Sequence, residues 1–159
     1  MTRQLPAPGT PVPRTERLVL AGIARGRATS EIATDLYISP VTVQTYMRRT
    51  AARLSCRPGR VALVTAGYAT GVLRSLPPET RPQRLLGTRQ MAVLQGIAEG
   101  LTNPQIAQWQ HVTLSTTVAY TATILAELEA SDRAHAVALA FQHGYLTITE
   151  QGLIGQGAA

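Results

Sequence analysis

The chain contains no lysine, and among its 159 residues there is one cysteine, one tryptophan and one phenylalanine. A lone Cys56 excludes an internal disulfide. Aromatics at 4% leave leucine, valine, isoleucine and alanine to build the core, and a hydrophobic fraction of 45% is enough for one. The three histidines, His111, His135 and His143, lack the four-residue spacing of a helical zinc pair, so no metal site is expected. No run of about 20 apolar residues exists, so no membrane span is expected, and the proline-rich start has no apolar stretch resembling a secretory signal. Nine acidic residues come without a metal cluster, a glycine-rich phosphate loop or a nucleophile–base constellation. The expectation is a soluble, cytoplasmic, non-enzymatic protein without a cofactor.

What is present is positive charge, unevenly distributed. All 15 basic residues are arginine, giving a net charge of +6. Arginine offers a rigid fork of donors to phosphates and guanine edges, although exclusive arginine use also follows from a GC-rich genome. Residues 1–84 hold 13 arginines against four acids, a net +9, whereas residues 85–159 hold two against five, a net −3. Such asymmetry predicts that only the first half meets nucleic acid.

The sequence also repeats itself. Val19-Leu20-Ala21-Gly22-Ile23-Ala24-Arg25-Gly26 returns as Val93-Leu94-Gln95-Gly96-Ile97-Ala98-Glu99-Gly100, followed six residues on by Ile32-Ala33 and Ile106-Ala107. The offset of 74 continues through Tyr46/Tyr120 and Leu54/Leu128, then becomes 73 for Arg60/Arg133 and Gly71/Gly144, as after the loss of one loop residue. The organisation predicted is a flexible proline-rich arm over 1–11, a first copy over 12–73, a linker over 74–85, a second copy over 86–146 and a tail over 147–159.

Each copy reads as four short helices, and the fold class predicted is all-α. Val19, Leu20, Ile23 and Ala24 form the apolar stripe of a first helix that stops at Gly26. Thr29 or Ser30 is placed to cap the second, and Ser39-Pro40 is a firm start signal for the third. Pro58 is read as opening the fourth; in the second copy Asn103-Pro104 precedes helix two and Ser131 caps helix four.

On helix three of the first copy, Val43, Met47, Thr50 and Leu54 share one face, and Thr45, Arg48, Arg49 and Ala52 the other, flanked by Gln44, Tyr46 and Arg53. A short polar helix after a second helix and a tight turn is what a helix-turn-helix places in the major groove, where Gln pairs with adenine and Arg with guanine or phosphate. A solvated face of a helical bundle is the alternative for such a helix taken alone. The DNA-binding set is therefore Ser39, Thr42, Gln44, Thr45, Tyr46, Arg48, Arg49 and Arg53. Arg25, Arg27, Thr29, Arg57 and Arg60 are candidates for flanking phosphates, or else are simply solvated.

The first copy resembles the LuxR-type (GerE-type) helix-turn-helix domain of bacterial transcription regulators. The resemblance rests on Glu16, Val19-Leu20, Ile23-Ala24-x-Gly26, Glu31-Ile32-Ala33-x-x-Leu36-x-Ile38-Ser39-x-x-Thr42-Val43-Gln44-x-Tyr46, Arg53-Leu54, Arg60 and Gly71. It departs from the family at Gln44, Tyr46 and Arg49, where Lys, His and Asn are usual, so operator preferences do not transfer. The second copy resembles the family less closely. Its helix three exposes Val118, Ala119, Ala122 and Thr123, and Glu127 stands where Arg53 does.

The resemblance implies double-stranded DNA as partner, a cytoplasmic, nucleoid-associated location, and dimerisation through the fourth helix. With only about a dozen residues before the first copy, no receiver or sensor module is expected. In the second copy Val137, Phe141 and Tyr145 are the candidate contacts for a homodimer, an intrachain pseudo-dimer or RNA polymerase, unless the apolar helix only closes its own core. Two functions remain: a sequence-specific transcription regulator, or an adaptor that binds polymerase, a sigma factor or another regulator with DNA secondary.

Overall fold

In the computed structural model, which describes residues 11–155, the chain divides between Pro77 and Pro78 into two units. Nearly all of the expected arm lies outside the described residues. The first unit has four helices: α1 (Arg14–Ala24), α2 (Thr29–Leu36), α3 (Pro40–Arg53) and α4 (Arg60–Ala69). The second repeats them as α5 (Thr88–Ala98), α6 (Asn103–Gln110), α7 (Leu114–Glu127) and α8 (Arg133–Gln142). It then adds an antiparallel hairpin of β1 (Leu146–Thr149) and β2 (Gly152–Gly155).

The repeat is written into the backbone as well as the side chains. Positive φ recurs at matched positions: Gly26 and Gly100, Tyr37 and His111, Ser55 and Glu129, Gly71 and Gly144. The helix-turn-helix turn closes identically in both units, with Ile38 N–H on the Ala33 carbonyl and Val112 N–H on the Ala107 carbonyl, each at 3.0 Å. The single-residue loss falls between α7 and α8, since 54–59 separates α3 from α4 and only 128–132 separates α7 from α8.

Buried aliphatics make the two cores. Leu20, Ile23, Ile32, Val43, Leu54 and Leu63 close the first unit, and Leu94, Ile97, Ile106, Ile124, Leu139 and Leu146 the second. Each such side chain contributes about 1.5–3 kcal/mol by leaving water. Helices α1 and α2 cross where Gly22 meets Ile32, and α5 and α6 where Gly96 meets Ile106; a Cβ added at either glycine would stand 2.8 or 2.9 Å from the isoleucine Cγ1. In α7 the apolar Val43 and Met47 are replaced by buried Thr117 and Thr121, whose hydroxyls donate to the Thr113 and Thr117 carbonyls one turn back at 3.2 and 3.0 Å.

Helix starts differ in detail from the sequence reading. Ser39 caps α3 as expected, accepting from Thr42 N at 3.1 Å. The cap of α2, however, is Ala28, with Thr29 the first helical residue. Glu31 reaches back to accept the Ala28 N–H at 2.9 Å, one half of a capping box whose other half the alanine side chain does not provide. Pro58 does not open α4, which begins after Gly59, and Asp132 rather than Ser131 caps α8, accepting from His135 N at 2.7 Å. Asn103 lies inside α6, capped by Thr102 in a reciprocal box with Gln105.

The segments read as a linker and a tail make specific contacts. Within the linker, the Glu79 N–H donates to Gln142 Oε1 at 2.9 Å, and Glu79 Oε2 meets His135 Nε2 at 2.7 Å. The Tyr145 hydroxyl accepts from Arg84 N and donates to Arg84 O at 2.9 and 2.6 Å. The tail forms the hairpin, a small departure from all-α. Thr147, Ile148 and Thr149 are β-branched and favour extended backbone, and Gln95 Nε2 donates to Leu153 O at 3.2 Å, tying β2 to α5. No described helix is long and apolar enough to cross a membrane.

Candidate nucleic-acid interface

Helix α3 presents its expected outer face because its inner one is committed. Val43, Met47, Thr50 and Leu54 are buried, which turns Gln44, Arg48, Arg49 and Ala52 outward, where they are exposed. Gln44, Arg48 and Ala52 line up along the helix at i, i+4 and i+8 as one exposed stripe. Thr45 and Tyr46 are half-buried. The Thr45 hydroxyl donates to the Val41 carbonyl at 3.1 Å and lies 3.4 Å from Arg48 Nη2. The Arg49 guanidinium lies 5.9 Å from the centre of the Tyr46 ring, which orients it as a cation over a π face.

Other predicted contacts carry internal roles. The hydroxyls of Ser39 and Thr42 bond each other at 2.8 Å within the cap, and Thr113 and Thr116 repeat that bond at 2.8 Å in the second unit. The bond recurs in both units and belongs to the helix start. Arg53 Nε donates to Glu16 Oε2 at 3.1 Å, and Glu16 is 2% exposed; Thr50 Oγ1 reaches the same oxygen at 3.3 Å. Arg53 thus anchors α3 to α1 with one edge of its guanidinium group, while its side chain stays 45% exposed.

Of the flanking candidates, Arg27 clasps Asp35 with Nε and Nη2 at 3.1 and 2.8 Å and lies 3.6 Å from Glu31. The Asp35 hydrogen bonds, then its charge and that of Glu31, hold the Arg27 guanidinium even more firmly charged than usual. Arg60 donates to the Arg27 carbonyl, and Arg133 makes the matching clip in the second unit, to the Leu101 carbonyl at 2.9 Å and Asn103 Oδ1 at 2.8 Å. Burial lowers the Arg133 pKa. Arg25 donates to the Pro77 carbonyl. Thr29 begins a helix whose first turn already holds the Glu31 carboxylate, which disfavours a phosphate there. Arg57 stays exposed.

Sequence reasoning passed over two exposed side chains at this end: Val41, 70% exposed at the start of α3, and Tyr37, 97% exposed in the turn. The signal for both was their placement beside Ser39-Pro40. An exposed aliphatic at a reading helix can meet a thymine methyl.

In the second unit the matched stripe on α7 is Val118, Ala119, Ala122 and Thr123, with exposed Leu114 at its start. Glu127 lies 3.8 Å from Arg84, so its charge is partly offset. Among the partner contacts proposed in the second copy, Val137 of α8 is fully buried and Tyr145, just beyond it, is 8% exposed with its hydroxyl engaged by Arg84; Phe141 is half-buried. A face exposed to a partner is therefore not what Val137 and Tyr145 form. Among the described residues no group of three or more His, Cys, Asp or Glu could hold a metal ion.

The family of bacterial regulatory proteins of the luxR type (GerE) matches residues 12–66 and 84–140. Relatives include the response regulator protein VraR of Staphylococcus aureus, of Staphylococcus epidermidis and of Staphylococcus saprophyticus, each 40% identical over 62 residues. That stretch is 39% of this chain and 30% of each relative, so the chain spans under a third of the relatives' length. No solved structure matches the chain significantly. With two matched segments that together cover more than half of its residues, one in each four-helix unit, the chain belongs to the luxR family of bacterial regulatory proteins.

Proposed function

We propose that this protein is a sequence-specific DNA-binding transcription regulator. Helix α3 of the first unit reads the major groove, and the second unit serves pairing or contact with another protein. The observation that carries this reading is the contrast between two copies of one helix. The α3 face exposes Gln44, Arg48 and Arg49, and the same positions on α7 are Val118, Ala122 and Thr123. Affinity for duplex DNA is dominated by phosphate neutralisation, so a reading helix without a cation is a poor binder. Gln44 and Arg48 supply edge-reading groups, Arg49 and the exposed part of Arg53 supply charge, and Glu16 fixes the pose of Arg53.

A mobility-shift assay at two salt concentrations tests the assignment. Replacing Arg48 and Arg49 together by alanine is expected to weaken duplex binding and flatten the slope of its salt dependence by about 0.9 for each phosphate no longer neutralised. Glu127→Ala is expected to leave binding near that of the parent. Equal losses from both would overturn the division of labour.

A second reading is favoured by the exposed apolar residues Trp109, Leu114 and Val118 of the second unit. In that reading the protein is an adaptor for RNA polymerase, a sigma factor or another regulator, and DNA is secondary. Co-purification with polymerase from nuclease-treated lysate separates the two.

A further inference from the structure

The two units also differ at the junction of their first and second helices. In the first, Arg27 spans this place and closes it by its clasp on Asp35 and its approach to Glu31. At the matched positions the second unit carries Leu101, Trp109 and Gln105, and Glu99 replaces Arg25. Three charged groups that held one another have become an aliphatic, an indole and an amide, and a cation has become an acid.

Glu99, Leu101, Gln105, Gln108 and Trp109 line a shallow groove of about 380 Å³. The indole is wedged on one side, with Cζ3 only 3.4 Å from where a Cβ on Gly96 would lie, yet Trp109 remains 44% exposed. A half-exposed tryptophan is costly to leave in water and attractive to a partner.

We propose that this groove binds an arginine-bearing extended segment of a partner protein, a proposal that rests on the reading of the second unit as a protein-contact module. The charge pattern selects the occupant. The lining contains one carboxylate, Glu99, and no cation. An aromatic face attracts cations, and a planar guanidinium stacks on indole more closely than an ammonium does. A guanidinium stacked on Trp109 pairs with Glu99 of the same lining, and an adjacent apolar side chain covers Leu101.

Trp109 is the only tryptophan in the chain, so its emission reports on the groove without a label. The full chain is titrated with a blocked hexapeptide of alternating arginine and leucine, and separately with its glutamate–leucine counterpart. The basic peptide is expected to give a saturable shift in emission and the acidic one none. Glu99→Arg, which restores the charge of the first unit, is expected to weaken the basic peptide by roughly tenfold. In Trp109→Asp, anisotropy of a labelled basic peptide is expected to show no binding; Leu101→Arg blocks the groove by a second route should that variant misfold.

An unmoved Trp109 signal, an equal response to the acidic peptide, or indifference to Glu99→Arg would overturn the proposal. So would a single-stranded oligonucleotide that shifts the emission where the basic peptide does not. The variant lacking Arg48 and Arg49 is expected to keep the peptide response, so failure at the duplex and failure at the groove are read separately.

Discussion

Arg48 and Arg53 are one helix turn and a residue apart on α3, yet their substitution has different consequences. Arg48 is exposed and its one internal hydrogen bond, to the Thr45 hydroxyl, is 3.4 Å long. Its removal is expected to change stability by less than about 0.5 kcal/mol. Arg53 faces a carboxylate that is 3% exposed, and Arg53→Ala withdraws its cation. The expected cost is about 2 kcal/mol, tempered by the half-exposed guanidinium and by Thr50, which keeps its hydroxyl near Glu16. Urea denaturation of the two variants checks the contrast. Binding assays on Arg53→Ala therefore have to be read beside its stability, whereas those on Arg48→Ala test the proposed interface directly. This distinction was not legible in the sequence. Spacing placed Arg53 on the flank of the outer face, but the partner that claims it stands 37 residues earlier, and spacing within a helix carries no information about a contact across helices.

At the level of the helices, the periodic signals were the readable ones. The buried stripe of α3, the Ser39-Pro40 start and the repeated Gly26 and Gly100 stops stand where the residue pattern put them. Helix starts at Ala28, Gly59 and Gly87 were harder, because the side chain at the cap contributes nothing. At Ala28 and Gly87 the clue was the third residue on, Glu31 and Gln90, which accept the cap N–H at 2.9 and 2.8 Å. The hairpin escaped because strands of four residues are too short for alternation to register. The segment after Pro78 escaped for another reason: its order comes from His135, Gln142 and Tyr145, more than 50 residues away. Crossings of helices make a further prediction. Gly22→Ala and Gly96→Ala each drive a methyl group into an isoleucine at under 3 Å. Each is expected to destabilise its own unit by about 1–3 kcal/mol, visible as a lowered Tm. Gly59→Ala, where nothing lies within 4 Å of the added carbon, avoids that clash.

Taken whole, the molecule contains one helix-turn-helix plan twice, with the plan kept and the surfaces changed. The clip from Arg60 to the Arg27 carbonyl recurs from Arg133 to the Leu101 carbonyl. The left-handed residues Tyr37 and His111 share a φ within 2°. What has diverged is charge. Up to Pro77 there are eleven arginines against three acids, and from Pro78 onward four against six. The net charge of the chain conceals that division, but its distribution along the sequence displays it, which is why the residue order alone is enough to tell the two copies apart.

Because both units follow one helical plan, the outer residues are expected to behave as exchangeable parts. Writing Val118→Gln, Ala119→Thr, Ala122→Arg, Thr123→Arg and Glu127→Arg into a chain that lacks Arg48 and Arg49 transplants the reading stripe onto α7. Such a chain is expected to regain salt-dependent affinity for duplex DNA through the opposite end of the polypeptide, measurable by fluorescence anisotropy. On the proposed reading, the duplicated plan leaves a socket into which a groove-reading face can be written without redesigning its scaffold.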